Sequence, residues 1–251
     1  MFDSAPWVQW AGSVAWVPSG TVALYFIAVL HAPPGTRVHE SSTMRTSLAA
    51  WNVGMALFSA WCTLVMVPLL LSGPNGIATR GLVAAICSDA SWFSHGQPGM
   101  VAVAFTLSKF LELGDTAFLV LRKRNLTNLH TFHHAMTLAL TWALFERRAS
   151  TGLIFIAMNA FIHTVMYTYY AAVLFPWARA LLIPHSHYIT VLQIAQMIVG
   201  MFVNMLASRE IIAGRPCHTP PFCVASAGLL YSIYACMFVL FAVERAKPKR
   251  A

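Results

Sequence analysis

Apolar runs of about twenty residues recur along this chain, and they set the solvent in which it folds. Residues 48–71 and 222–243 contain no Asp, Glu, Lys or Arg. About twenty apolar residues is the length a helix needs to cross a hydrocarbon core. Lipid offers no partners to open backbone, so a spanning segment is a helix or part of a closed barrel. The short alternating strands of a membrane barrel are missing here, which leaves helices. Composition agrees: 58% of the 251 residues are hydrophobic and 10% are charged, against about 25% charged in soluble domains. The sequence therefore predicts an all-α integral membrane protein.

Seven spans are expected, at about 10–31, 48–71, 98–121, 131–147, 151–174, 186–207 and 222–243. Pro, Gly and charged residues punctuate the intervals. Pro18 and Gly20 are expected to interrupt the first span. No internal repeat is visible, and residues 1–251 read as a single domain. The start, "MFDSAPWVQW", lacks the basic stretch of a cleavable signal peptide. The net charge of +8 sits between apolar runs, so it reads as a topology signal and not as a nucleic-acid surface. Placing the C-terminus in the cytosol puts Arg37, Arg45, Arg122, Lys123, Arg124, Arg179, Arg245, Lys247, Lys249 and Arg250 on the cytosolic side. Arg80, Arg147, Arg148, Arg209 and Arg215 then face the other way, and the excess favours this orientation. The tail "KPKRA" suits either a dilysine retrieval signal of the endoplasmic reticulum or a basic patch that attracts anionic lipid. The sequon at Asn125 stays cytosolic, hence unmodified, in this topology.

Ionisable groups inside a membrane are costly, so each cluster asks for a reason. In "KFLELGDT", Lys109, Glu112 and Thr116 share a helical face with Asp115 beside them. They suit a charged network or a salt-bridge staple. In "HTFHH", His130, His133 and His134 fall at i, i+3 and i+4. In "MNAFIHTVMYTYY", Asn159, His163, Tyr167 and Tyr170 form one polar and aromatic stripe; tyrosine alone would suit an interfacial belt. In "TVLQIAQ", Thr190, Gln193 and Gln196 repeat every three residues, which also suits interhelical hydrogen bonding. Four consecutive spans each carrying a polar stripe predict a shared cavity inside an otherwise apolar tunnel.

Three chemistries compete for the histidines. A di-iron lipid oxygenase needs about eight histidines in several boxes, and H-x-x-H-H occurs once. A transporter would show paired halves with broken helices, and no pairing is visible. Acyl transfer fits better. An imidazole can attack a thioester and hold the acyl group, a neighbour can move the proton, and a dry channel protects the intermediate. No cysteine falls in a polar cluster to act as nucleophile instead.

These four motifs, over about residues 45 to 245, resemble the signature boxes of the ELO-type very-long-chain fatty acid elongases: K-x-x-E-x-x-D-T, H-x-x-H-H, H-x-x-M-Y-x-Y-Y and T-x-x-Q-x-x-Q. The resemblance implies seven transmembrane helices, six of them a barrel around a narrow tunnel, in the endoplasmic reticulum membrane. It implies condensation of a long-chain acyl-CoA with malonyl-CoA to 3-ketoacyl-CoA, carbon dioxide and coenzyme A. His133 is then the nucleophile, His163 its partner, and His130, His134 and Asn159 complete the catalytic group. Lys109, Glu112, Asp115, Tyr167, Tyr170, Gln193 and Gln196 would bind substrate, with Lys109 near coenzyme A. The family implies no metal and no cofactor. Its partners are the membrane lipid and the ketoacyl-CoA reductase, dehydratase and enoyl-CoA reductase of the cycle, with room for a homo-oligomer. Polyunsaturated-type members carry Gln where this chain has Asn125, so the resemblance leans to saturated or monounsaturated acyl groups. A disulfide between Cys87 and Cys217 in the far-side loops is expected, with Cys223 the competing partner.

Overall fold

A computed structural model describes residues 2–33, 35 and 41–247, and within them it is helical with no strand. The helices are α1 (Ala5–Ser13), α2 (Trp16–Leu30), α3 (Ser42–Ser72), α4 (Ile77–Cys87), α5 (Gly96–Glu112), α6 (Gly114–Leu121), α7 (Asn128–Glu146), α8 (Gly152–Ala172), α9 (Pro176–Leu182), α10 (Ser186–Ile212) and α11 (Pro221–Ala246). Arg37, Lys249 and Arg250, which the charge argument used, lie outside the described residues.

Local chemistry sets several of the boundaries. Ser41 caps α3, its hydroxyl accepting from the Met44 N–H at 3.2 Å. Thr127 caps α7, its hydroxyl accepting from the His130 N–H at 3.2 Å. The "NLT" triplet thus starts the helix that carries the three clustered histidines. Pro221 opens α11 at its first position, where a missing N–H costs nothing.

Four helical runs are long and apolar enough to cross a bilayer: Ser42–Ser72, Gly152–Ala172, Pro176–Ile212 and Pro221–Ala246. A fifth qualifies if α1 and α2, bent by 59°, count as one broken span. The bend corrects the expectation about Pro18 and Gly20. The chain turns at Val14 and Ala15, and Pro18 sits inside the first turn of α2, where its ring meets no preceding turn. The segment expected at 98–121 is divided at Leu113 into α5 and α6. The interval after residue 72, read as a loop, contains α4.

The long helices pack side by side. The most extensive pairings are α3 with α8 and α10 with α11. Gly200 explains how α10 and α11 approach: a Cβ there would lie 2.1 Å from Cδ1 of Tyr231. Lipid supplies no hydrophobic drive between helices, so close van der Waals contact across small residues carries this pairing. A Thr63–Thr164 hydroxyl bond of 3.2 Å crosses between α3 and α8.

One end of the bundle is tied covalently. Cys87, closing α4, is disulfide-bonded to Cys217, just before α11, as expected, and Cys223 is a buried free thiol. Around the bridge, the His218 N–H donates to the Cys87 carbonyl at 3.0 Å. The Ser150 hydroxyl donates to the Ile86 carbonyl at 2.6 Å and lies 2.8 Å from that of Thr219.

Candidate active site

A cavity of about 510 Å³ opens between α3, α6, α7, α8, α10 and α11. His130, His133 and His134 enter it from α7, and Asn159, His163, Tyr167 and Tyr170 from α8. Gln193 and Gln196 face it from α10, and Asp115 from α6. The shared cavity expected from the polar stripes is therefore present. Leu48, Ile162, Met166, Met197, Phe238 and Phe241 give it apolar wall, with Asn52, Asn125 and Thr127 among them.

Lys109 and Glu112 do not line this void. They stand one layer behind it, 2% and 3% exposed. The Lys109 ammonium donates to Glu112 Oε1 at 2.6 Å and to Asn159 Oδ1 at 2.9 Å, and sits 4.0 Å above the Phe105 ring. A buried pair of opposite charges needs such full satisfaction to persist in low dielectric. Because an ammonium only donates, the Asn159 oxygen must face Lys109. Its amide nitrogen is then turned toward His163 Nε2, at 3.3 Å. A donor there makes Nε2 the acceptor and puts the neutral ring's proton on Nδ1. That nitrogen faces Glu112 Oε1 at 3.6 Å, an ion-pair distance longer than a hydrogen bond. So the charged box reaches His163 through Asn159 and Glu112.

Asp115 is fixed from two sides. The Trp51 indole donates to one oxygen at 2.7 Å and the Tyr167 hydroxyl to the other at 2.6 Å. Thr116 joins the Tyr25 hydroxyl and His130 Nε2, each at 2.8 Å. The histidine rings pack in sequence, His130 on His134 at 4.4 Å and His133 on His134 at 5.6 Å between centroids. His133 also packs against Tyr234 at 4.9 Å. Thr190 is buried but off the cavity wall. Among the described residues, no three His, Cys, Asp or Glu side chains converge to hold one metal ion.

Four arginines that the sequence suggested only as topology signals gather at the cavity mouth. Arg45, Arg122, Arg124 and Arg179 line a vestibule of about 640 Å³. Arg122, Tyr170, Val173 and Leu174 line both spaces, so the vestibule is continuous with the cavity. Trp51 and Tyr25 were also missed. Neither belongs to a polar cluster in sequence, and only the fold brings each beside its hydrogen-bond partner.

Fold and cavity together define a class: a multi-pass helical membrane protein with an imidazole-lined interior and a cationic entrance. The family model described as "ELO: GNS1/SUR4 family" matches residues 10–251, and the chain belongs to that family. It is 33% identical to fatty acid elongase 1 of Trypanosoma brucei brucei over 84% of this chain and 69% of that protein. It is 34% identical to very long chain fatty acid elongase 6 of Gallus gallus over 80% of this chain and 73% of that protein. To long chain fatty acid elongase 2 of Caenorhabditis elegans it is 30% identical, over 83% and 75%.

Proposed function

We propose that this chain is a fatty acid elongase that condenses an acyl-CoA with malonyl-CoA to give a 3-ketoacyl-CoA two carbons longer, carbon dioxide and coenzyme A. The observation that carries the reading is that His133 and His163, from different helices, line one cavity open to a cluster of arginines. The relatives named as fatty acid elongases support it.

In the first half-reaction, a neutral His133 imidazole attacks the thioester carbonyl. The carbon–sulfur bond breaks, coenzyme A leaves and takes a proton, and an acyl-imidazole remains. The second half-reaction brings malonyl-CoA. Its carboxylate leaves as carbon dioxide, and the electron pair passes to the thioester enolate. The enolate carbon attacks the acyl carbonyl, the carbon–nitrogen bond breaks, and the leaving imidazole takes up one proton from solvent, which regenerates neutral His133. His163, held by Asn159 and Glu112, moves the proton or steadies the enolate oxygen. The vestibule arginines hold the phosphates of coenzyme A, since guanidinium matches phosphate geometry. Tyr167, Tyr170, Gln193 and Gln196 line the path of the acyl thioester. No step draws on a metal or cofactor.

The architecture in this reading has seven spans and forms one domain over residues 1–251. The spans are α1 with α2, then α3, α5 with α6, α7, α8, α10 and α11. The cavity draws its walls from the last six, which supports a six-helix barrel. α5–α6 and α7 read as less apolar because they carry the charged and histidine boxes. The protein sits in the endoplasmic reticulum with its C-terminus and arginine vestibule in the cytosol. It supplies its product to a ketoacyl-CoA reductase, a dehydratase and an enoyl-CoA reductase. Saturated or monounsaturated acyl groups are the substrates, and a homo-oligomer is compatible.

The test is incubation of purified protein with malonyl-CoA and a panel of acyl-CoAs, read by mass spectrometry. A ketoacyl-CoA product two carbons longer supports the reading; intact acyl-CoA throughout refutes it.

A further inference from the structure

Beyond His133 the interior continues away from the arginine vestibule as two small voids in series. The first, about 40 Å³, meets the main cavity at His133, Asn159, Gln196 and Met197 and runs past Thr137 and Tyr234. The second, about 60 Å³, lies farther on, against Val8, Phe93 and Arg148. Phe105, Thr141, Leu144 and Phe155 border both voids, so their side chains wall the neck where the two adjoin. Both aromatic leaves of this wall are anchored. Phe155 stacks on Tyr231 with centroids 5.1 Å apart, and Phe105 lies under the Lys109 ammonium. Phe105, Leu144 and Phe155 are buried.

Distance along α7 scales this compartment. A helix rises about 1.5 Å per residue, so Thr141 and Leu144 stand about 12 and 16 Å beyond His133. An extended chain advances about 1.2 Å per bond, from the 3.3–3.6 Å that three backbone bonds span. We infer that the constriction of Phe105, Thr141, Leu144 and Phe155 ends the acyl compartment, and that the preferred acyl donor is a medium-length chain of about ten to fourteen carbons. This rests on the elongase reading above. Longer chains must push the anchored rings aside to reach the second void.

The experiment measures kcat/KM of the full-length protein with malonyl-CoA and saturated acyl-CoAs of graded length, roughly eight to eighteen carbons, bracketing the reach of both voids. The wild type should peak near ten to twelve carbons and fall about tenfold or more by sixteen, the scale of a few methylenes refused by an apolar pocket. Phe155→Ala should raise turnover of sixteen- and eighteen-carbon donors by about tenfold and leave ten-carbon donors nearly unchanged. Thr141→Phe should narrow the same wall and move the optimum below ten carbons, which keeps the test available if Phe155→Ala fails to fold. Equal wild-type use of twelve- and eighteen-carbon donors would overturn the inference. So would an active Phe155→Ala enzyme with the wild-type length profile. Absence of a two-carbon-longer product from every donor would instead reject the elongase reading itself.

Discussion

At the scale of single residues, the site separates groups that face the cavity from groups that hold them. His133 faces the cavity, and His133→Ala should give no covalent acyl-enzyme on incubation with acyl-CoA alone. Intact-mass spectrometry that still finds the acyl adduct would refute the nucleophile. Asn159 joins the charged box to His163 through both ends of its amide. Asn159→Ala should leave acyl-enzyme formation within a few-fold and slow condensation by about 10²–10⁴, the scale of a proton-transfer group that has lost its orientation. Rapid-quench measurement of the two half-reactions decides this, and equal slowing of both would contradict it. Glu112→Ala removes one member of a buried ion pair. It should destabilise the protein by on the order of 3–5 kcal/mol, because Lys109 is left charged and uncompensated. Chemical or thermal unfolding in detergent measures that loss.

Among helices, contact distance decides more than composition. α10 and α11 meet over Gly200, where any side chain would enter the Tyr231 ring. Gly200→Leu should force the two helices apart and disturb Gln196, one turn earlier on α10 and part of the cavity wall. The expected loss is about 1–3 kcal/mol, the usual cost of overpacking, and it should lower both stability and turnover. The break at Leu113 belongs to this scale too. The Leu113 N–H bonds to the Phe110 carbonyl at 3.3 Å, a tightened turn between the helix carrying Lys109 and Glu112 and the one carrying Asp115. Those residues looked like one stripe in sequence. In the fold Lys109 and Glu112 serve the back of the wall and Asp115 its face.

Over the whole molecule, charge and covalent linkage fall at separate places. The arginines at residues 45, 122, 124 and 179 converge on the vestibule from four segments of the chain. Raising ionic strength from about 0.05 to 0.5 M should weaken acyl-CoA binding several-fold, since screening acts within a few ångströms at high salt. A KM indifferent to salt would argue against phosphate contacts there. The Cys87–Cys217 bridge closes a loop spanning 130 positions of sequence and ties α4 to the entry of α11. Replacing both cysteines by serine should lower stability by about 2–4 kcal/mol, chiefly by freeing the unfolded chain. Thermal unfolding of the double variant beside the wild type measures this.

The sequence by itself determined the solvent, the helical class and the boxes that carry chemistry. Those depend on local composition and on 3.6-residue periodicity, which any helix obeys. His130, His133, His134, Asn159, His163, Tyr167, Tyr170, Gln193 and Gln196 were all legible as inward-facing for that reason. The tertiary structure alone decided that Lys109 and Glu112 orient His163 from behind, that Trp51 and Tyr25 serve Asp115 and Thr116, and that topology arginines form an entrance. It also decided where the acyl path narrows, because Phe105, Thr141, Leu144 and Phe155 come from three helices and have no relation in sequence. Periodicity assigns a residue to a face of its own helix. Which neighbour occupies that face follows from packing among helices far apart along the chain.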